Sequence, residues 1–324
     1  MIMVKTPFRI SLVGGGTDLP AFYQKNGYGA VVSMAIKKYM YVMIHPYFHD
    51  KLRVKYSQTE DVDSIDQLKH PLARECLRMM KLNTGIEIAS IADIPAGLGL
   101  GSSSSFTVCL LHALHAYQGR HVTKERLASE ACQIEIDQLK EPIGKQDQYA
   151  AAYGGLNFVR FNADGSVKVD RFLNNTKLLS ELMQRLLIFY IGRPRSARNI
   201  LTEQQNSIGE GEKFKSGQQL VKLTHDMQEA LISGKMDHIG EILHEGWMLK
   251  RGLASNITDS DIDRIYSFGL NAGASGGKLL GAGAGGFMLF YCDPDAKKNI
   301  REKIGLREIC IEGDGEGSKV IYAE

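Results

Sequence analysis

Residues Asp93–Tyr117 read DIPAGLGLGSSSSFTVCLLHALHAY, and the fold turns on this stretch. It opens on the end of an apolar run, Ile86 to Ile94. Gly97, Gly99 and Gly101 then fall within five residues, and four serines follow, Ser102 to Ser105. Beyond them apolar residues recur at helical spacing: Phe106, Cys109 and Leu110, Ala113 and Leu114, Tyr117. The order this predicts is strand, glycine loop, helix. Glycines let the backbone approach a ligand closely. A helix start adds unpaired N–H groups and the positive end of a dipole. Together they form an anion site, most often for phosphate. The serine hydroxyls either cap the helix or hold a metal that accompanies the phosphate.

Two familiar phosphate loops do not fit. GxxxxGK followed by Ser or Thr is absent, because the Gly-Lys pairs at Lys145, Lys235 and Lys278 lack the hydroxyl residue. Gly97-Leu98-Gly99-Leu100-Gly101 has the wrong spacing for GxGxxG. The local sequence therefore leaves two readings, a phosphate cradle of another kind or a flexible connection.

At 324 residues the chain is long enough for two domains, which we divide as residues 1–175 and 176–324. A composition 44% hydrophobic and 23% charged is that of an ordinary globular protein. A net charge of +2 does not favour nucleic acid. The five cysteines are odd in number and widely spaced, with no CxxC, which argues for free thiols in a reducing compartment and against zinc. No apolar run reaches membrane-spanning length, and MIMVKTPFRISLVGGG reads as a strand rather than a signal peptide. The expectation is a cytoplasmic protein with neither nucleic acid nor membrane as partner.

Towards the N-terminus, Val4, Phe8, Ile10 and Leu12 mark the apolar side of a strand that runs into Gly14-Gly15-Gly16-Thr17-Asp18. That run is either a tight turn or a substrate loop in which Asp18 accepts hydrogen bonds from ligand hydroxyls. Val31 to Ile44 suits a further strand. Lys51, Arg53 and Lys55 alternate and read as a solvated strand face, a phosphate or sugar contact being the weaker alternative. Leu72 to Met80 reads as a helix. Towards the C-terminus, Thr123 to Leu139 is helical, carries Glu135 and stops before Pro142. Gly144 to Tyr149 leads through a short helix into strands Leu156–Phe161 and Val167–Phe172. Leu186 to Ile191 suits a buried strand, after which Arg193, Arg195 and Arg198 crowd a helix entrance. Residues 214–232 and 236–254 read as long helices, and Ser260 with Asp263 as a capping pair. Lys278–Gly281 and Phe287–Cys292 read as strands joined by AGAGG, Ala282 to Gly286. His112 and His115 read as packing or exposed residues and Trp247 as core. Nothing local establishes whether Lys250 or Arg251 faces a cleft.

Three of these segments, in order, resemble the motifs of the GHMP kinases. Pro95 to Ser104 is similar to their central motif, Pro7 to Leu12 with Gly14 to Asp18 to their first, and Lys278 to Phe287 to their third. TPFRISLVGGGTDLPAFY, PIGKQDQYAAAYGG and GGKLLGAGAGGF resemble the branch that contains the heptose 7-phosphate kinases. The resemblance implies a two-domain α+β fold, with a ribosomal-S5-like N-terminal domain and a ferredoxin-like C-terminal domain. It implies an ATP-dependent kinase for the anomeric hydroxyl of a sugar, with Mg²⁺ alongside the ATP. By matched position it implies that Pro95, Gly97, Leu98, Gly99, Gly101, Ser102, Ser103 and Ser104 hold the nucleotide. Ser103 and Glu135 match the magnesium ligands, Asp147 the base or orienting aspartate, and Arg9 the basic residue beside it. Gly15, Gly16, Thr17 and Asp18 match the sugar loop. The family's galactokinases carry Glu-His where this chain has Gly15-Gly16, so galactose is disfavoured and a roomier pocket is expected there.

Taken without the resemblance, Asp147 reads equally as a structural carboxylate paired with Lys145 or Arg9, and Glu135 as a solvated helix residue. The resemblance to the heptose 7-phosphate branch implies a substrate phosphate far from C1, and arginine binds phosphate through paired donors, so Arg195 and Arg198 are assigned to it; the alternative is a surface helix start. The leading expectation is a kinase for D-glycero-D-manno-heptose 7-phosphate. The alternatives are a kinase for a free sugar such as L-fucose or an N-acetylhexosamine, and a non-catalytic sugar and nucleotide sensor. The sequence leaves the oligomeric state open, a homodimer included.

Overall fold

Val, Ile, Met and Tyr dominate the two longest strands because such residues fill a pleated, half-buried surface. The computed structural model describes residues 1–172, 176–192 and 198–324. Its strands are β1 (Ile2–Val13), β2 (Tyr28–Pro46), β3 (Leu52–Lys55), β4 (Thr59–Val62), β5 (Ile86–Ala92), β6 (Leu156–Asn162), β7 (Val167–Arg171), β8 (Leu186–Gly192), β9 (Ala274–Leu279), β10 (Gly286–Cys292) and β11 (Lys319–Ala323). Its helices are α1 (Pro20–Asn26), α2 (Pro71–Met80), α3 (Ser102–Tyr117), α4 (Lys124–Cys132), α5 (Gln146–Tyr153), α6 (Thr176–Gln184), α7 (Arg198–Ser207), α8 (Gly211–Ser233), α9 (Asp237–Arg251), α10 (Ser260–Asn271) and α11 (Lys297–Ile304).

The larger sheet runs β11-β1-β2-β5-β3-β4, with β6 also paired to β2 and β7 to β6. On one edge β2 follows β1 antiparallel from Val32 to Ile44. On its other edge residues Tyr28–Met34 pair with β6 and Met40–Pro46 with β5. The gap between those partners is filled by the segment before β11. Lys37 donates to the Glu312 carbonyl at 2.7 Å and Asp314 donates to the Ala35 carbonyl at 2.9 Å. These bonds satisfy backbone groups that the diverging strands would otherwise leave unpaired. A register shift between Pro7 and Phe8 falls just before Arg9, and such bulges re-aim the side chains that follow.

Helix α3 is buried along nearly its whole circumference, from Ser104 to Leu111, as expected for a helix apolar on every face. It lies against β1 and β2 and beside α5. The smaller sheet runs β8-β10-β9, antiparallel throughout, and α9 packs on β9. Residues 307–309 extend its β8 edge through bonds from Tyr190 N to Arg307 O and from Ile309 N to Ile188 O. One apolar core joins the larger sheet to α8 and α9 through Leu223, Met227 and Leu243. A second surrounds Trp247, Tyr266 and Phe290. A cut at residue 175 therefore separates β11 from the sheet it completes.

Several local expectations are corrected. Asp259, not Ser260, caps α10, accepting from the Asp261 and Ile262 amides. Strand β9 begins at Ala274, ahead of Lys278. The segment after Thr123 is α-helical only to Cys132, and Gln133–Gln138 forms a π-helical turn that carries Glu135. Thr123 does cap it, accepting from Arg126 N at 3.2 Å. Among the described residues no helix is long and apolar enough to cross a membrane.

Candidate active site

Three glycine loops meet around one cavity: 14–16 after β1, 97–101 before α3, and 281–285 between β9 and β10. The second and third touch backbone to backbone. A Cβ on Gly281 would stand 2.3 Å from Gly99 Cα, and one on Gly99 would stand 2.6 Å from the Leu280 oxygen. Both residues have left-handed φ, +75° and +84°. Gly281→Ala should therefore add left-handed strain of roughly 1–2 kcal/mol to an overpacking cost of roughly 1–3 kcal/mol. The expected result is a lower urea midpoint; an unchanged midpoint would show that the loops can separate without loss.

Arg9 ties β1 to the second loop and to α5. Its amide donates to the Leu100 carbonyl at 3.1 Å and its Nη1 to the Gly99 carbonyl at 2.8 Å. Its Nε and Nη2 donate to the two oxygens of Asp147 at 2.7 and 2.6 Å. This is the bidentate geometry in which a guanidinium fixes a carboxylate most firmly. Asp147 lies in the first turn of α5, where the helix dipole favours negative charge. Lys145, the other partner considered, donates to the Gly165 carbonyl.

Asp18 is fully buried on the cavity wall and accepts three bonds, from Gly16 N at 2.9 Å and from Gln146 N and Nε2 at 3.2 Å each. Burial pushes its carboxyl upward, the amide bonds opposing. It thus fixes the first glycine loop to the start of α5. Gly15 and Gly16 line the cavity, but Thr17 does not: its hydroxyl is buried against the Gly14 and Ala30 backbone. The room expected at Gly16 is filled by Gln204, whose Nε2 would be 2.4 Å from a Cβ there.

The serines do not cap α3. Gly101 is its N-cap, with φ +76° and no side-chain cap bond. Ser102 and Ser103 face the cavity, Ser105 donates to the Pro7 carbonyl at 2.9 Å, and Ser104 donates to Glu135 at 2.7 Å. Ser104, rather than Ser103, is the serine that touches Glu135. Leu98 is buried with its backbone against Gly286, and Pro95 is exposed away from the cavity wall.

Glu135 is buried, not the solvated residue its sequence context suggests. Its Oε2 also accepts from Gln148 at 2.9 Å. The Thr107 hydroxyl nearby donates to the Ser103 carbonyl, and Oε1 has no hydrogen bond. Burial raises the carboxyl to about 7, against the Thr107, Ser104 and Gln148 hydroxyl and amide groups that favour its charge. An orphaned buried carboxylate oxygen and a cavity-facing serine hydroxyl are the hard oxygen donors that suit Mg²⁺.

Of the arginines that crowd this helix entrance, Arg193 and Arg195 lie outside the described residues. Arg198 is exposed and 3.6 Å from Glu141, off the cavity wall, although Leu201 and Gln204 of the same helix line it. Lys250, buried, and Gln146 line the cavity as well; Arg251 instead pairs with Asp263 at 2.6 Å. His112 bonds Ser318, His115 bonds Glu130, and Trp247 is wholly buried, all packing roles.

The family model described as GHMP kinases N terminal domain matches residues 70–155, and the one described as GHMP kinases C terminal matches residues 227–308. Together they cover more than half of the chain. A D-glycero-alpha-D-manno-heptose 7-phosphate kinase of Campylobacter jejuni is 28% identical over 92% of this chain and 91% of its own length. A bifunctional fucokinase/GDP-fucose pyrophosphorylase of Arabidopsis thaliana is 26% identical over 93% of this chain, which spans only 31% of that protein. A D-glycero-D-manno-heptose 1-phosphate kinase from Bacteroides thetaiotaomicron superposes with a TM-score of 0.82 over the full length of both chains at 24% identity, which shows the shared fold. With its α+β architecture and three meeting glycine loops, the chain belongs to the GHMP kinase family and is an ATP-dependent sugar kinase.

Proposed function

We propose that this sugar kinase transfers the γ-phosphoryl group of ATP to the anomeric C1 hydroxyl of D-glycero-D-manno-heptose 7-phosphate, giving the 1,7-bisphosphate. The observation that carries the reading is the Arg9–Asp147 pair, held against the glycine loop at one cavity. Near full-length similarity to a kinase named for that heptose supports the acceptor.

In this reading the amides of the Gly97–Ser103 segment cradle the triphosphate at the start of α3. Phosphoryl transfer asks chiefly for positioning and charge neutralisation. Asp147 receives or orients the C1 hydroxyl, and each of its oxygens keeps lone-pair capacity beside the Arg9 bond. Arg9 fixes the carboxylate relative to the loop. Gly15, Gly16 and Asp18 border the sugar, and Gln204 shapes the pocket beside Gly16. Ser103 and Glu135 would hold Mg²⁺, which when bound neutralises phosphate charge. Arg195 and Arg198 are proposed for the distal phosphate of the acceptor.

The fucokinase relative supports a second reading, a free sugar as acceptor. ADP release measured across sugars and sugar phosphates separates them. Turnover with the heptose 7-phosphate and little with unphosphorylated sugars is expected; turnover with free sugars alone would sink the heptose assignment. In the same panel Arg195→Ala should raise KM for the sugar phosphate much more than KM for ATP. Equal changes would remove Arg195 from the acceptor site.

A further inference from the structure

Two buried lysines reach this region from the C-terminal half of the chain, and neither forms an ion pair among the described residues. Lys278 donates to the Leu12 carbonyl at 3.0 Å and stands behind the cavity wall. Lys250, one residue before the end of α9, lines the cavity itself, and its ammonium bonds the Gly281 carbonyl. An ammonium carries three donors, and that bond uses one.

The charges around Lys250 do not balance. Arg9 is matched by Asp147 in a two-bond pair. The oxygens of Asp18 are occupied by three N–H donors. Arg9 is near enough to disfavour charge on both lysines, and Lys250 on Lys278, while Asp18 and Asp147 favour the charge at Lys250 without pairing with it. Burial, with Arg9 second, lowers the Lys250 ammonium to about 8, and burial also holds Lys278 well below the ordinary lysine range. Burying an ammonium without a paired anion opposes folding, so an anion entering the cavity would meet an unpaired ammonium with donors to spare. The position is specific. Gly281 packs on Gly99, in the loop assigned to the nucleotide, and Asp147, assigned to the acceptor hydroxyl, is close enough to act on the ammonium.

We propose that Lys250 contacts the γ-phosphoryl group of the nucleotide as it passes to the acceptor. The bond from phosphorus to the acceptor oxygen forms, the bond to the β-phosphate oxygen breaks, the hydroxyl proton leaves towards Asp147, and Lys250 donates hydrogen bonds to the non-bridging oxygens without changing protonation. The inference rests on the kinase reading and is independent of which sugar accepts.

The test uses the full chain with Lys250→Met and Lys250→Arg, titrated calorimetrically with ADP and with a non-hydrolysable ATP analogue, alongside kcat with the best acceptor and the Tm of the ligand-free protein. The wild type should prefer the ATP analogue. Lys250→Met should abolish most of that preference and lower kcat by roughly 10²–10³-fold, the scale of removing one preorganised donor. Its Tm should hold or rise, because a buried charge has gone. Lys250→Arg should recover part of both the preference and kcat. An intact preference in Lys250→Met, no preference in the wild type, or a lower Tm that accounts for the lost activity would each overturn the proposal and leave Lys250 a tie between α9 and the glycine hairpin. The binding ratio is read without any sugar, so a wrong acceptor would leave it unaffected.

Discussion

Asp147→Asn should lower kcat by roughly 10²–10⁴-fold, the contribution typical of a positioned general base, while the affinity for ATP is kept. Asparagine retains the shape and one acceptor oxygen. Its amide group, however, presents donors to a guanidinium that can only donate. One of the two Arg9–Asp147 bonds is therefore lost, and Arg9, whose side chain is 6% exposed, is left partly unpaired. That should cost about 1–3 kcal/mol of stability, so Tm must be measured beside ADP release to separate misfolding from lost chemistry. A folded, ATP-binding variant that turns over normally would remove Asp147 from the reaction. One that no longer binds ATP would mean the Arg9–Asp147 pair serves the nucleotide loop instead.

Glu135→Gln should have opposite effects on activity and on stability. If Glu135 holds Mg²⁺, its loss should cost roughly 10²–10³-fold in kcat, comparable with removing a preorganised charge-stabilising group. The Mg²⁺ concentration for half-maximal rate should rise. Stability of the ligand-free protein should change the other way. The folded-state value of about 7 lies above the ordinary 4.5. The folded state therefore binds more protons than the unfolded state between those values, and stability falls as pH rises through that window. The loss is complete above about pH 7 and reaches up to about 3 kcal/mol. Glutamine cannot ionise, so the variant should be the more stable protein at pH 8 and lose that advantage towards pH 4.5. A less stable variant at pH 8, or an unchanged Mg²⁺ requirement, would take Glu135 out of the metal site.

The glycine loops and their order were legible because each is punctuated locally, and the helix start at Thr123 was legible for the same reason. The Arg9–Asp147 contact was anticipated as one of two pairings, since short-range reasoning could not rank Arg9 against Lys145. What escaped was set by distant chain. Glu135 looked solvated because nothing in its neighbours predicts a π-helical turn that aims it at α3. The space beside Gly16 looked open because Gln204 reaches it from a helix nearly two hundred residues later in the chain. Lys250 sits on an amphipathic helix, where a lysine ordinarily snorkels to water; here α9 packs between α8 and β9, and the ammonium turns inward to the Gly281 carbonyl.

The segment that fills the gap along β2 also sets how late in synthesis the larger sheet can close. Residues 1–172 carry nearly all of the larger sheet, yet β1 lacks its outer neighbour until residues 319–323 are made. The Lys37 amide and the Ala35 carbonyl at mid-β2 await residues 312–314 in the same way, whereas the Ala35 amide already has the Gly155 carbonyl. While ribosomes translate the second half, the first therefore waits with an open strand edge, the feature that invites mispairing between nascent chains.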